Sequence, residues 1–165
     1  MLKEIFFSVS LIYSITGCVK KKINTKNVKN IKNRANSYQI APNIVIKEAM
    51  KYLGKPYKYG SSGPDSFDCS GFVYKVYSDI GIPIPRTSLE QSKIKGKKLS
   101  RYELKKGDIL FFDTANRGHI NHSGIYIGDS KFIHASSGKA HSVTISNLNR
   151  WYKDKFRWGK RLINR

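Results

Sequence analysis

One cysteine in this chain has the sequence surroundings of a catalytic thiol. Cys69 stands in the run Phe67-Asp68-Cys69-Ser70-Gly71-Phe72-Val73, at the predicted start of a helix. Unpaired N–H groups and the macrodipole at a helix N-terminus favour an anion, and a nearby imidazolium lowers the pKa of a thiol further. We therefore interpret Cys69 as a nucleophile with a lowered pKa, the alternative being a small buried hydrophobe.

A base and an orienting group for this thiol stand on a predicted β-hairpin. If Ile125 pairs with Ile133, strand alternation places both of them, with Ile127, on the face toward the core. The same register puts His122 and His134 together on the opposite face, as diagonal neighbours within imidazole reach. A slip of one residue would separate the two histidines.

This geometry fits a nucleophile, a base and an orienter. His122 would accept the Cys69 proton to form an ion pair, and His134 would bond the other ring nitrogen of His122 and fix its tautomer. Gly124 faces His134 in the same register and puts no side chain between the rings. We therefore predict a catalytic triad of Cys69, His122 and His134, with the sulfur about a hydrogen bond from His122.

The remaining histidines, His119 and His141, lie in a predicted loop and a predicted turn, so we expect both to be solvated. A metal site is the alternative use of four histidines and a cysteine. The chain lacks the helix-type histidine spacing and the paired Cys-x-x-Cys that zinc sites use. We expect no metal and no cofactor.

Three predicted helices precede the hairpin. The first covers residues 43–53 and is ended by Gly54 and Pro56. The second begins at or beside Cys69, with apolar residues at helical spacing up to Ile80. The third, which is short, begins at the capping-box pair Thr87 and Glu90.

Short β-like runs dominate the chain beyond Gly96. They cover residues 108–112, 122–127, 131–135, 142–145 and 156–163. Helices first and strands afterwards favour an α+β fold with helices packed on an antiparallel sheet. The chain has 165 residues, enough for one such domain, which we assign to residues 38–165.

The first 17 residues are predicted to be a lipoprotein signal peptide. Their apolar stretch is too short to span a bilayer, and Ile15-Thr16-Gly17-Cys18 resembles a bacterial lipobox, in which the cysteine carries diacylglycerol. An ordinary secretory signal followed by a chance cysteine is the alternative. If Cys18 is lipidated, no disulfide forms within the chain, and Cys69 is a free thiol in an exported protein.

Charge points to an acidic partner. Residues 18–37 form a predicted tether with seven Lys and Arg and no acid, and residues 38–165 hold 23 Lys and Arg against 10 Asp and Glu. Nucleic acid, anionic lipid and acidic wall polymer all suit such a surface. The alternative is that the high Lys content reflects a biased genome composition and has no function. No pattern of a known nucleic-acid module occurs, so we expect no nucleic-acid partner.

Six motifs between about Ala49 and Leu162 resemble, in order, the NlpC-type family of bacterial cell-wall endopeptidases, a papain-like clan, and especially its lipoprotein branch of murein endopeptidases. They are Gly54-Lys55-Pro56-Tyr57-Lys58-Tyr59-Gly60, Asp68-Cys69-Ser70-Gly71-Phe72-Val73, Pro85-Arg86-Thr87-Ser88, Gly107-Asp108-Ile109-Leu110-Phe111-Phe112, His122-Ser123-Gly124-Ile125-Tyr126-Ile127-Gly128 and Phe132-Ile133-His134-Ala135-Ser136. The resemblance implies an α+β papain-like domain with the nucleophile at a helix N-terminus.

The resemblance also implies site residues. It makes Cys69 the nucleophile, His122 the base and His134 the third polar residue. Tyr57 is implied to line the site and to help stabilise an oxyanion beside the Cys69 N–H. Three residues match positions near the substrate groove: Asp68, Ser70 and Arg86. Ser123 and Ser61 depart from the family pattern, and we expect neither to touch the chemistry directly.

The function that follows is hydrolysis of an amide in peptidoglycan stem peptides or cross-links, D,L or D,D, by a monomeric enzyme. The lipid on Cys18 would hold it in the cell envelope, on the exported side of a membrane, which is the outer membrane if the cell has one. A non-catalytic wall-binding lipoprotein is the alternative. Lipid acyl transfer on a permuted papain-like fold would place the histidine before Cys69, contrary to the order found.

Overall fold

A computed structural model describes residues 42–163 of the chain. The predicted signal peptide, the tether and Cys18 lie outside these residues. The described helices are α1 (Pro42–Met50), α2 (Cys69–Asp79), α3 (Ser88–Ser92) and a 3₁₀ helix (Arg101–Glu103). The strands are β1 (Ile109–Phe112), β2 (His122–Gly128), β3 (Lys131–Ala135), β4 (Val143–Asn147) and β5 (Phe156–Lys160).

These helices and strands lie where the sequence predicts them, with small differences at the ends. Helix α1 ends at Met50 and gives way to turns that lead to Gly54, whose φ of 83° only glycine adopts at little cost. Strand β5 ends at Lys160, three residues before the predicted end. None of the helices in residues 42–163 has the length and apolar character that crossing a membrane requires.

The five strands form one antiparallel sheet in the order β4-β3-β2-β1-β5. Ile125 pairs with Ile133, so the predicted register of the hairpin is confirmed. Both isoleucines are fully buried between the sheet and helix α2, which stabilises this register by about 1.5–3 kcal/mol per side chain. Ile127 is half-buried and packs against the same core.

A second, smaller cluster covers the other face of the sheet. Its buried members are Leu110, Phe112, Phe132 and Leu148, and Tyr152 packs against them. Since strand alternation sends His134 to the same face as Phe132, the histidines meet aromatic rings there, and His134 is fully buried. The sequence predicts the shared face correctly but not its aromatic cover.

Candidate active site

Cys69 is the first residue of α2, as predicted. Asp68 is the N-cap: its backbone is extended, and its Oδ1 accepts a hydrogen bond from the Gly71 N–H at 2.7 Å. A Cβ at residue 71 would lie 2.1 Å from the Ser61 carbonyl oxygen, so only glycine permits this close approach. The start of the helix, and with it the thiol, is thereby fixed against the loop that contains Ser61.

The three residues that resemblance places near the groove form one network. Arg86 donates to both Asp68 oxygens, at 3.0 Å and 2.6 Å, and to Ser70 Oγ at 3.0 Å. A further hydrogen bond runs from Arg86 Nη2 to the Ser61 carbonyl at 3.2 Å. These contacts tie Arg86 to the start of α2. About a third of the Arg86 side chain stays exposed at the groove.

Tyr57 also reaches the cavity that contains the thiol. This cavity has a volume of about 500 Å³, and Tyr57, Cys69 and Arg86 are among its lining residues. Burial, followed by the nearby Cys69 and Asp68, raises the pKa of Tyr57, so its hydroxyl stays protonated and can donate. The position agrees with the implied oxyanion role, which stays a prediction.

The two predicted histidines are joined by a hydrogen bond. His122 Nε2 lies 2.9 Å from His134 Nδ1, as the hairpin register requires. A Cβ on residue 124 would lie 2.8 Å from the Phe132 ring and 3.1 Å from the His134 Cβ, so Gly124 is needed for this approach. The bond occupies Nε2 of His122 and leaves Nδ1 as the nitrogen that can serve a thiol.

The hydrogen bonds continue from His134 to Ser146, a residue that the sequence analysis missed. His134 Nε2 lies 2.9 Å from Ser146 Oγ. If Nε2 donates to this hydroxyl, Nδ1 of His134 accepts from His122 and keeps His122 Nδ1 unprotonated, which is the form that acts as a base. Ser146 pairs with Phe132, two residues along the strand from the His134–Thr144 pair and therefore on the same face of the sheet. Extending the register argument from β3 to β4 would have found it, but the predicted strand stops at residue 145.

Aromatic rings enclose the histidine pair. The Tyr152 ring stacks on His122 with an interplanar angle of 20° and meets His134 edge-on at 5.3 Å. Burial lowers the pKa of His122 to about 4. Burial, and then the neighbouring His122, lower the pKa of His134 well below its ordinary value. Both imidazoles are therefore neutral at pH 7.

The Cys69 thiol does not form the predicted ion pair. Its hydrogen bonds reach Ser88 Oγ at 3.7 Å and the Asn121 carbonyl at 3.9 Å, and among the described residues none joins it to His122. Burial raises the pKa of the Cys69 thiol, a hydrogen bond donated by Ser88 to the thiolate lowers it where that bond forms, and the nearby Asp68 raises it. The prediction of a lowered pKa was wrong here, because desolvation of the sulfur outweighs the helix N-terminus.

A buried chain of hydroxyls runs from the thiol into the core. Ser88 Oγ lies 3.1 Å from Ser123 Oγ, which donates to Gln91 Oε1 at 3.0 Å. Gln91 is oriented in turn because its Nε2 donates to the carbonyls of Ser70 and Pro85, at 3.1 Å and 3.0 Å. The Ser123 side chain is linked to the thiol only through Ser88, so the expectation that it does not touch the chemistry directly stays a prediction.

The number of hydroxyl protons fixes which group donates in each of these hydrogen bonds. Because Ser123 gives its only proton to Gln91, its oxygen can only accept from Ser88. While Ser88 donates to Ser123 it has no proton left for sulfur, and the single proton of the Cys69 thiol points either to Ser88 Oγ or to the Asn121 carbonyl. Ser88 can donate to a thiolate only when its hydrogen bond to Ser123 is broken. The hydroxyl chain thus favours the protonated thiol.

The other two histidines are exposed, as predicted. His141 has a positive φ of 43°, and its ring lies 5.5 Å from that of Tyr57. His119 contacts the Arg117 carbonyl. Within residues 42–163, no three His, Cys, Asp or Glu side chains are grouped so that they could share a metal ion.

Known proteins resemble the chain over this region. It is 35% identical over 158 residues to the murein DD-endopeptidase MepH of Escherichia coli (strain K12), covering 88% of this chain and 58% of that protein. It is 43% identical over 110 residues to the gamma-DL-glutamyl hydrolase of Bacillus subtilis (strain 168), covering 66% of this chain and 26% of that protein. The chain thus spans less than two thirds of the length of these relatives.

The fold is found in solved structures as well. A crystal structure of an NlpC/P60 family protein from Bacillus cereus ATCC 10987 superposes with a TM-score of 0.69 at 34% identity, covering 75% of this chain and 41% of that one. The profile of the NlpC/P60 family matches residues 54–161, which include the thiol, both paired histidines and the whole sheet. The α+β papain-like fold predicted from the sequence is confirmed. The chain belongs to the NlpC/P60 family.

Proposed function

We propose that this protein is a peptidoglycan endopeptidase that cleaves amide bonds of wall stem peptides or cross-links by Cys–His–His catalysis. The observation that carries the proposal is the hydrogen-bonded series His122, His134 and Ser146 beside a cavity that holds Cys69 at a helix start. The name of one relative, a murein DD-endopeptidase, supports this substrate class, and that of the other, a gamma-DL-glutamyl hydrolase, supports hydrolysis of a glutamyl bond.

The residues suggest the following reaction. As the sulfur of Cys69 attacks the amide carbonyl carbon, its proton passes to Nδ1 of His122. The carbonyl oxygen becomes an oxyanion that the Cys69 N–H and the Tyr57 hydroxyl stabilise. The imidazolium then gives its proton to the leaving nitrogen, the C–N bond breaks, and a thioester forms on sulfur. Water, deprotonated by His122, hydrolyses the thioester and frees the acid.

The Cys69 thiol and the His122 imidazole are both neutral at rest. His122 therefore acts as a general base and is not half of a resting ion pair. Its imidazolium exists only during the reaction, and its Nε2–H then donates a hydrogen bond to His134 Nδ1, which stabilises the charge. Such base catalysis contributes roughly 10²–10⁴-fold. A lowered thiol pKa is not required by this route.

Digestion of purified sacculi tests the proposal. The soluble muropeptides are separated and their masses assigned, which also identifies the cleaved bond as D,D or D,L. Cys69→Ala is the matched control, because alanine suits the first position of a helix and only the nucleophile is lost. Products from wild type and none from Cys69→Ala are expected; equal products from both would overturn the mechanism.

A non-catalytic wall-binding domain is the second candidate. The raised thiol pKa and the missing hydrogen bond between Cys69 and His122 are what such a domain would also show. The digestion separates the two: a binding domain sediments with sacculi and releases no muropeptides. The buried histidine pair favours the enzyme, because burying two imidazoles costs stability that wall binding does not require.

We also propose that a lipid on Cys18 holds the protein at the cell envelope, on the exported side of a membrane. The lipobox-like sequence and the basic residues 18–37 support this. Cys18→Ser is expected to shift the protein from the membrane fraction to the soluble fraction and to abolish labelling by a fatty-acid probe. Digestion by the purified protein should not change. A Cys18→Ser protein that stays fully membrane-bound would contradict the anchor.

A further inference from the structure

A second cavity adjoins the one that holds the thiol. It has a volume of about 670 Å³, and Leu89 and Ile120 line both cavities. Its walls come from α3, from the loop that leads into β2, and from β5. A peptide bound at Cys69 can therefore continue past Leu89 and Ile120 into this space.

The second cavity is strongly basic. It is lined by four cationic side chains and one carboxylate: Lys93, Lys98, Arg157, Lys160 and Asp113. The carboxylate is already satisfied, since it accepts from the Arg117 and Gly118 N–H groups and pairs with Arg157. Its charge is offset by the paired Arg157, so it offers little repulsion to an incoming anion.

Lys98 is the cation best placed to bind a ligand. Its Nζ lies 3.8 Å from the centre of the Trp158 ring, and within residues 42–163 it forms no salt bridge. By contrast, Lys160 is buried and bonded to the Gly96 carbonyl, and Lys93 pairs with Glu90. A carboxylate can therefore reach the Lys98 ammonium without displacing an acidic partner.

The position of the base indicates which part of the substrate enters this cavity. His122 must protonate the leaving nitrogen, so the leaving segment lies on the His122 side of the sulfur. Residues 118–120 of the cavity wall lead directly to His122 at the start of β2. The Asp68–Arg86 network lines only the thiol cavity.

We propose that this second cavity is a subsite for a free carboxylate on the leaving segment of the wall peptide, bound by Lys98 at the Trp158 face. The inference rests on the proposed function and narrows its substrate to peptides with an acidic leaving segment. Wall cross-links carry such groups, whereas a neutral peptide leaves the cavity's cations without a partner.

The test uses two synthetic stem peptides with the bond that the muropeptide masses assign. They are identical except that the leaving segment ends in a carboxylate or in a carboxamide. For wild type, a KM about tenfold lower for the carboxylate peptide is expected from one charge-assisted hydrogen bond. Lys98→Met keeps an aliphatic side chain over Trp158 but removes the charge, and should bring the ratio of the two KM values close to one.

Lys131→Met is the matched control. Lys131 is exposed beside the β2–β3 turn, at the far end of the hairpin from His122, and does not line the cavity. In Lys131→Met the ratio of the two KM values should therefore keep its wild-type value. If Lys98→Met fails to fold, as judged by circular dichroism, Lys93→Met at the exposed rim replaces it, with a smaller change in the same direction.

The outcomes separate the two proposals. Equal KM values for wild type on both peptides would overturn the subsite while leaving the endopeptidase intact. A ratio that persists in Lys98→Met would place the preference elsewhere and would also overturn it. If wild type cleaves neither peptide nor sacculi, the proposed function falls, and the subsite with it.

Discussion

His134 and Ser146 lie on neighbouring strands, with Nε2 and Oγ 2.9 Å apart, and this contact decides which nitrogen of His122 carries a proton. If the hydroxyl accepts, the base is competent; if it donates, His122 Nδ1 is protonated and cannot take the thiol proton. A single serine outside the predicted triad therefore controls the tautomers of both histidines.

The first prediction concerns this serine. Ser146→Ala should lower kcat about tenfold, since one hydrogen bond that holds the productive tautomer is lost, with little change in KM. Ser146→Thr keeps the hydroxyl and suits a β-strand, so it should restore most of kcat. The measurement is steady-state hydrolysis of a stem peptide. Equal losses in the two variants would mean that shape, not the hydroxyl, matters at this position.

The histidines should differ in their effects. His122→Ala removes the base and should reduce kcat by roughly 10²–10⁴-fold. His134→Ala removes only the orienting group, and should therefore cost less than His122→Ala. Both variants need a thermal melt, since each empties a buried site among aromatic rings. A larger loss in His134→Ala, with both variants folded, would reverse the assigned roles.

Much of this arrangement follows from the sequence, and the reasons differ from residue to residue. The Ile125–Ile133 register is predictable because only one alignment buries both isoleucines and keeps the histidines together. The packing of Tyr152 over the histidines is not predictable from the sequence, because Tyr152 lies in a turn far along the chain whose position depends on tertiary packing. The pKa of Cys69 was mispredicted for the same reason: the helix start is local, but desolvation depends on the whole fold.

The hydroxyl chain gives a prediction for Ser123. In Ser123→Ala, the proton of Ser88 is no longer held by Ser123 and can be donated to the Cys69 sulfur, which lowers the thiol pKa. The pH midpoint of iodoacetamide alkylation, followed by mass spectrometry of the Cys69 peptide, should move down. The free energy of unfolding should also fall by about 1–3 kcal/mol, because Gln91 Oε1 loses its buried donor.

Ser78→Ala is the matched control for that experiment. Ser78 is exposed on α2, nine residues beyond the thiol, and should change neither the alkylation midpoint nor the stability appreciably. An unchanged midpoint in Ser123→Ala would show that the hydroxyl chain does not control the thiol proton.

Burial of the histidines predicts a pH-dependent stability. The pKa of His122 is about 4 in the fold against an ordinary 6.5, and that of His134 is lowered in the same direction. Below pH 6.5 the unfolded chain binds protons that the folded chain does not, so stability present above pH 6.5 is lost as the pH falls toward 4. For His122 alone the loss at pH 5 is up to about 2 kcal/mol.

Urea unfolding between pH 7 and pH 5 checks this expectation. The carboxylates with lowered pKa values, such as Glu103 and Asp113, have ordinary values of 4.5 and 3.8 and contribute little in this range. His122→Gln should show a smaller decline than wild type. A decline of the same size in both would locate the titrating group elsewhere.

The last prediction concerns the basic surface and separates delivery to the wall from catalysis. Residues 38–165 hold 23 Lys and Arg against 10 Asp and Glu. Attraction between exposed charges and an acidic polymer is screened over about 8 Å at physiological ionic strength, whereas a buried catalytic centre is screened far less. Added salt should therefore slow the hydrolysis of intact sacculi much more than that of a small neutral stem peptide. Both substrates are assayed with one batch of enzyme. Equal salt sensitivity would mean that the positive charge reflects the Lys-rich composition of the chain and does not serve to bind the wall.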